Sequence, residues 1–154
     1  MDSVLILGMG GGGVIETLRS DFNYTKAITA VEIDPVIISI ADTEFGIKEN
    51  DFLKIHCVNA YEFVKTNSDV YDLIIVDLYI DLSIPDKFLN LDFWNALLNL
   101  KSSKGQIIFN ASVGASTSPS KLEEIISFLR SKVYEVSVFE NVNTTNTIII
   151  TSSL

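Results

Sequence analysis

Val4-Leu5-Ile6-Leu7-Gly8-Met9-Gly10-Gly11-Gly12-Gly13-Val14 is the stretch on which the reading of the chain turns. An unbroken aliphatic run of this kind suits a strand buried on both faces, as in a parallel sheet covered by helices. The glycine cluster then marks a strand-to-helix turn, because Ile15, Glu16, Thr17, Leu18 and Arg19 resume with helix-compatible residues. Glycine takes positive φ and lets a ligand approach where a Cβ would clash. The helix beyond it offers unpaired N–H groups and the positive end of its dipole to whatever binds. Gly8, Gly10 and Gly13 fit the Gly-x-Gly-x-x-Gly spacing, which by itself marks only a tight turn. Ala27-Ile28-Thr29-Ala30-Val31-Glu32 strengthens the reading. It is a second apolar run that ends in a carboxylate about 20 residues on, the offset at which an acidic side chain meets a nucleotide ribose. The expected ligand is of adenosine type.

Composition narrows the field. A chain of 154 residues fits one compact domain, 1–154, and can bury a sizeable core. A hydrophobic fraction of 47% with three prolines argues against disorder. No apolar run approaches the roughly 20 residues that cross a bilayer, and Met1-Asp2-Ser3 lacks the basic start of a signal peptide. A cytoplasmic chain with no membrane partner is expected. The single cysteine, Cys57, cannot form an internal disulfide, in keeping with a reducing compartment, and reads as a small core residue of an apolar strand. His56 beside it reads as structural, since a zinc site needs three or four ligands, so no metal is expected. A net charge of -9 opposes the phosphate backbone of nucleic acids and leaves a small-molecule acceptor as the expected partner.

Taken in order, Val14 and Leu18 share one face of a short helix ending near Ser20-Asp21. Asp34-Pro35 opens a second helix, Asp as cap and Pro in the first turn, with Val36, Ile37, Ile40 and Ala41 as its apolar face. Phe52 to Val58 reads as a third strand, and Asn59 to Val64 turns from its end into a helix. Tyr71 to Val76 is a fourth strand that ends at Asp77. The loop Leu78 to Asn90 spans 13 residues, a length usually functional or mobile. Phe93, Ala96, Leu97 and Leu100 define the next helix, and Gln106 to Phe109 the fifth strand after Lys104-Gly105. A polar loop, Ala111 to Ser118, leads to a helix opened by Pro119 and a Ser120/Glu123 capping box, with Leu122, Ile125, Ile126 and Leu129 inward. Val133 to Phe139 and Thr147 to Thr151 are joined only by Glu140 to Asn146, which implies an antiparallel pair. The predicted architecture is α/β: a mostly parallel sheet of five β-α repeats, helices on both faces, closing on a C-terminal antiparallel β-hairpin.

In an open sheet of this type the ligand lies beyond the carboxyl ends of the strands. Those ends are Gly8, Glu32, Asn59 and Asp77. The glycine turn then meets the amino-acid or phosphate portion of a ligand, and Glu32 accepts two ribose hydroxyls. Asn59 offers both donor and acceptor to an adenine edge. Asp77 faces the reacting centre, where a carboxylate holds an ammonium group or takes a proton.

The glycine stretch, Val31-Glu32-Ile33-Asp34-Pro35, Asn59-Ala60-Tyr61-Glu62-Phe63 and Tyr71-Asp72-Leu73-Ile74-Ile75-Val76-Asp77 together resemble the spermidine synthase family and its methyltransferase-like relatives. The resemblance covers essentially the whole chain and implies the Rossmann-like class I S-adenosylmethionine-dependent methyltransferase fold, with the hairpin as its last two strands. It implies S-adenosylmethionine or its decarboxylated form as cofactor. The contacts it implies are Gly8, Gly10, Gly12, Glu32, Ile33, Asn59, Ala60 and Asp77, with Asp77 also catalytic. Three departures bear on the chemistry. Gly11 stands where the aminopropyltransferases carry an aspartate, and Asn59 where they carry an adenine-contacting aspartate. Asp77-Leu78-Tyr79-Ile80-Asp81 is one residue longer than their Asp-x-x-Asp. The chain also begins almost on its first strand, without their N-terminal β-rich domain, as a non-catalytic remnant or equally a fragment of a longer protein would. These departures favour a methyltransferase-like domain acting on a small acceptor. The alternatives are an aminopropyltransferase of polyamine synthesis and a non-catalytic interaction module that keeps the fold. A nicotinamide-dependent dehydrogenase is disfavoured, because the nucleotide fold consumes the chain and leaves no substrate domain. The acceptor and the oligomeric state, a homodimer included, stay open.

Overall fold

A computed structural model describes residues 1–80, 83–111, 118–132 and 134–153. In chain order the elements are β1 (Ser3–Leu7), α1 (Gly13–Ser20), β2 (Ala27–Glu32), α2 (Pro35–Phe45), β3 (Leu53–Cys57) and α3 (Ala60–Thr66). There follow β4 (Tyr71–Val76), a 3-10 turn (Asp86–Leu89), α4 (Leu91–Asn99), β5 (Lys101–Asn110), α5 (Pro119–Ser131), β6 (Tyr134–Val142) and β7 (Asn146–Ser153). The strands form one sheet in the order β3-β2-β1-β4-β5-β7-β6. Strands β1 to β5 run parallel, and β7 inserts antiparallel between β5 and β6.

The aliphatic runs form the middle of this sheet because both of their faces are covered. On one face, Phe93, Trp94 and Leu97 of α4 and Ile125 and Leu129 of α5 pack on Leu5, Leu7, Ile74, Val76, Ile107 and Phe109. On the other, Ile15 and Leu18 of α1 and Ala41 of α2 pack on Val4, Ile6, Ile28 and Ala30. The indole N–H of Trp94, fully buried, donates to the carbonyl of Phe88 at 3.0 Å, so burying this polar group leaves no unmet donor. After β1 the chain winds outward through β2 to β3, then returns to β4 on the other side of β1. Loops leaving β1 and β4 therefore diverge, and the crevice between them is where such sheets bind ligands.

Five details differ from the sequence reading. Val36 and Ile40 are 61% and 40% exposed, and the packed face of α2 is Ile38 with Ala41. Val36-Ile37-Ile38 and Ile40-Ala41 leave almost no polar side to this half of the helix, so spacing alone could not choose the face. Cys57 is exposed, not core, because β3 is the sheet edge and only its Leu53 is buried. Strand β5 begins at Lys101, five residues before Gln106, with a register slip that sets Lys101 opposite Tyr71 and Gln106 opposite Leu73. The Ser120/Glu123 box does not form: Pro119 occupies the first helical turn, so the cap position falls on Ser118. The loop after β4 is partly ordered, its 3-10 turn burying Phe88 and Leu89. Asp81, most of the Ala111–Ser118 loop and Val133 lie outside the described residues. Among the described residues no helix is long and apolar enough to cross a membrane.

Candidate functional site

The site begins at the end of β1. Gly8 has φ 88° and a Cβ there would sit 2.0 Å from the carbonyl oxygen of Asp77, so no other residue fits without moving β4. Its N–H and that of Met9 both donate to the carbonyl of Val31, at 2.9 and 3.1 Å. The Asp77 N–H donates to the carbonyl of Leu7 at 2.9 Å. One bend thus clamps the ends of β1, β2 and β4 together.

Glu32 closes the bend from the other side. Its Oε2 accepts from the Gly10 N–H at 3.0 Å, and its Oε1 from the N–H groups of Ile33 and Asp34 at 2.8 and 3.1 Å. A carboxylate has about four acceptor positions. With three filled by the backbone, Glu32 is held facing the cleft and keeps acceptor capacity for a ribose hydroxyl. Asn59 is the N-cap of α3, its Oδ1 accepting from the Tyr61 N–H at 2.9 Å. That leaves its amide NH₂ as the group uncommitted to the helix.

Asp77 is half-buried, and burial pushes its carboxyl above the ordinary range. Opposing this, the side-chain amide of Asn110, at the end of β5, donates to Asp77 Oδ1 at 3.0 Å. The Asn110 carbonyl in turn accepts from the Tyr79 hydroxyl at 2.6 Å. The ends of β4 and β5 are thereby held in register around one carboxylate. Sequence reasoning missed Asn110, although the rule that found the other strand ends applies equally to the fifth strand.

These groups surround one cleft of about 440 Å³, within the range of small-molecule sites. Gly8, Gly10, Glu32, Ile33, Asn59, Ala60 and Asp77 all line it. Gly12 does not: at φ 89° it is the N-cap of α1, buried, with the space for its side chain filled by Ile47 at 2.7 Å. Leu78, Tyr79, Ile80 and Phe88 supply an apolar and aromatic wall from the loop after β4. Lys87, also missed, is the only cation among the described lining residues, with Glu32 and Asp77 the only carboxylates. The donor set suits a nucleoside bearing a charged tail: a side-chain-free approach, a carboxylate hydrogen-bonded to the turn, an amide at the outer strand, and a second carboxylate at the end of β4. His56 stays outside the cleft lining, tilted against Phe63 with ring centroids 5.1 Å apart.

The family model for the spermine/spermidine synthase domain matches residues 1–150. A polyamine aminopropyltransferase from Vibrio vulnificus is 29% identical over 112 residues, which cover 71% of this chain and 37% of that protein. An eEF1A lysine and N-terminal methyltransferase from Danio rerio is 34% identical over 80 residues, covering 49% of this chain and 11% of that protein. The chain thus spans well under half the length of these two relatives. Among solved structures, human methyltransferase-like protein 13 in complex with SAH superposes with a TM-score of 0.81 at 22% identity, over 99% of this chain and 72% of that one. That likeness shows a shared fold: a Rossmann-like, mostly parallel sheet ending in antiparallel strands.

Proposed function

The chain belongs to the spermine/spermidine synthase domain family, and from that premise we propose that its cleft binds S-adenosylmethionine and directs transfer of the methyl group to a small acceptor. One observation carries the reading. The Gly10–Glu32 hydrogen bond fixes a side-chain-free turn and an acidic group to one cleft wall, with Asp77 on the same cleft. When bound, S-adenosylmethionine would supply an electrophilic methyl carbon on a positively charged sulfur.

The protein's own part is positioning. The remaining acceptor position of Glu32 takes a ribose hydroxyl, and Asn59 with Ala60 at the start of α3 meets the adenine edge. Ile33 and Phe88 give apolar surface to the base and keep water from it. Asp77 attracts the positive end of the ligand and accepts a proton from the acceptor, a role its raised proton affinity supports. Holding the two reactants in line accounts for most of the acceleration in transfers of this kind. The acidic chain and its single, exposed thiol support a cytoplasmic setting. Titration calorimetry with S-adenosylhomocysteine tests the binding: saturable heat is expected, and none at millimolar ligand contradicts it.

The Vibrio relative favours a second reading, aminopropyl transfer from decarboxylated S-adenosylmethionine with Asp77 as base for the attacking amine. A product assay with putrescine separates the two, since only this second reading yields spermidine.

A further inference from the structure

Lys87 is presented at the cleft by an anchored support. The 3-10 turn that carries it buries both following residues, Phe88 and Leu89. The Phe88 ring meets Phe93 edge-on at 5.3 Å, its N–H donates to the Pro85 carbonyl at 2.9 Å, and its own carbonyl takes the Trp94 indole N–H. The backbone at position 87 is therefore fixed to the core while the side chain stays exposed. The neighbouring carboxylate, Asp86, is taken by Lys121 at 2.7 Å, and no acidic group among the described residues lies within ion-pair distance of Lys87. Glu124 borders the adjoining hollow that Lys87 shares, but is not paired with it. Among the described residues the ammonium rests against the face of Phe88, 4.9 Å from Nζ.

Among the described residues one positive group thus lines a cleft whose carboxylates have other partners: Glu32 is tied to three backbone N–H groups and Asp77 to Asn110. We infer that Lys87 reads the carboxylate of the ligand's amino-acid portion, so that the site selects a carboxylate-bearing adenosyl ligand over its decarboxylated counterpart. This rests on the adenosyl reading above and extends it, because the two cofactors under consideration differ by that one group. The ammonium of Lys87 donates to the carboxylate, while Asp77 attracts the positive end of the same ligand; a decarboxylated tail leaves Lys87 without its partner. An exposed cation of this type contributes a modest, salt-screened part of the affinity.

Three calorimetric titrations test the inference: S-adenosylhomocysteine, its decarboxylated aminopropyl thioether, and methylthioadenosine, each against the native chain, Lys87→Met and Lys87→Arg. The native chain is expected to bind S-adenosylhomocysteine about threefold to fivefold more tightly than its decarboxylated thioether, the pair that differs only in the carboxylate, and methylthioadenosine more weakly than S-adenosylhomocysteine. Lys87→Met removes that preference, leaving the other two affinities within about twofold, and Lys87→Arg keeps most of it. A preference that survives Lys87→Met, or a loss shared by all three ligands, overturns the role of Lys87. A native chain that binds methylthioadenosine and S-adenosylhomocysteine equally overturns it too. If none of the three binds the native chain, the adenosyl reading itself fails instead.

Discussion

At the scale of single residues, Asp77 sets function against stability. Burial raises its carboxyl above the ordinary range, so the folded chain keeps a proton that the unfolded chain has already lost. Folding is therefore favoured most below the unfolded carboxylate range, and this contribution is lost as pH rises to the raised native value. Asp77→Asn, which keeps the shape and can still accept from Asn110, removes the cost of holding a charge there. The variant should melt higher than the native chain at pH 7 and show no such gain near pH 3, while its turnover falls about 10²-fold or more. A variant that melts lower at pH 7, by differential scanning calorimetry, would mean that the charge is stabilised where it lies. Of the site residues, Glu32 and Asp77 could be read from sequence because a carboxylate that ends an apolar run must lie at the rim of the sheet, where ligands bind. Lys87 could not. Lysine on a polar loop carries no signal of what it faces, whereas Asn110, next after the strand read at Gln106 to Phe109, was open to the same strand-end rule and was overlooked.

Among the elements, the helix starts do double duty. Asn59 caps α3 through Tyr61 and also borders the cleft. Asn59→Ala should cost about 1 kcal/mol of stability from the lost cap and also weaken S-adenosylhomocysteine binding; Asn59→Asp keeps the cap and so separates the effects. Urea unfolding with parallel calorimetry reads both, and equal behaviour of the two variants in both assays would contradict the division. The elements whose boundaries were legible are those with one strong cue: Asp34-Pro35 for α2, the Leu73-Ile74-Ile75-Val76 run for β4, the short link for the hairpin. Those misread had competing cues. In α2 the apolar residues run nearly all round, and in β5 the polar start Lys101-Ser102-Ser103-Lys104 is held by tertiary bonds, Ser102 to Asp72 and Lys101 to Ser153. Such long-range partners do not show in local sequence.

For the whole molecule, the fold follows from alternation of buried runs and capped helices, and the site from where the strand order reverses around β1. Gly8 is the point at which these meet, touching β2 through Val31 and β4 through Asp77. Gly8→Ala should cost at least about 2 kcal/mol, from positive φ and the displaced end of β4, and should abolish ligand binding even where the chain still folds. Gly10→Ala, with no atom within 4 Å of the new Cβ, should be milder in stability. The central claim is that one nucleoside binds at the rim where β1, β2 and β4 end. Its most direct test is a two-dimensional NMR titration of the ¹⁵N-labelled chain with S-adenosylhomocysteine. The amides of Gly8, Gly10, Ile33 and Ala60 should shift saturably, with those of β6 unmoved; shifts confined to other surfaces, or none at all, would contradict the claim.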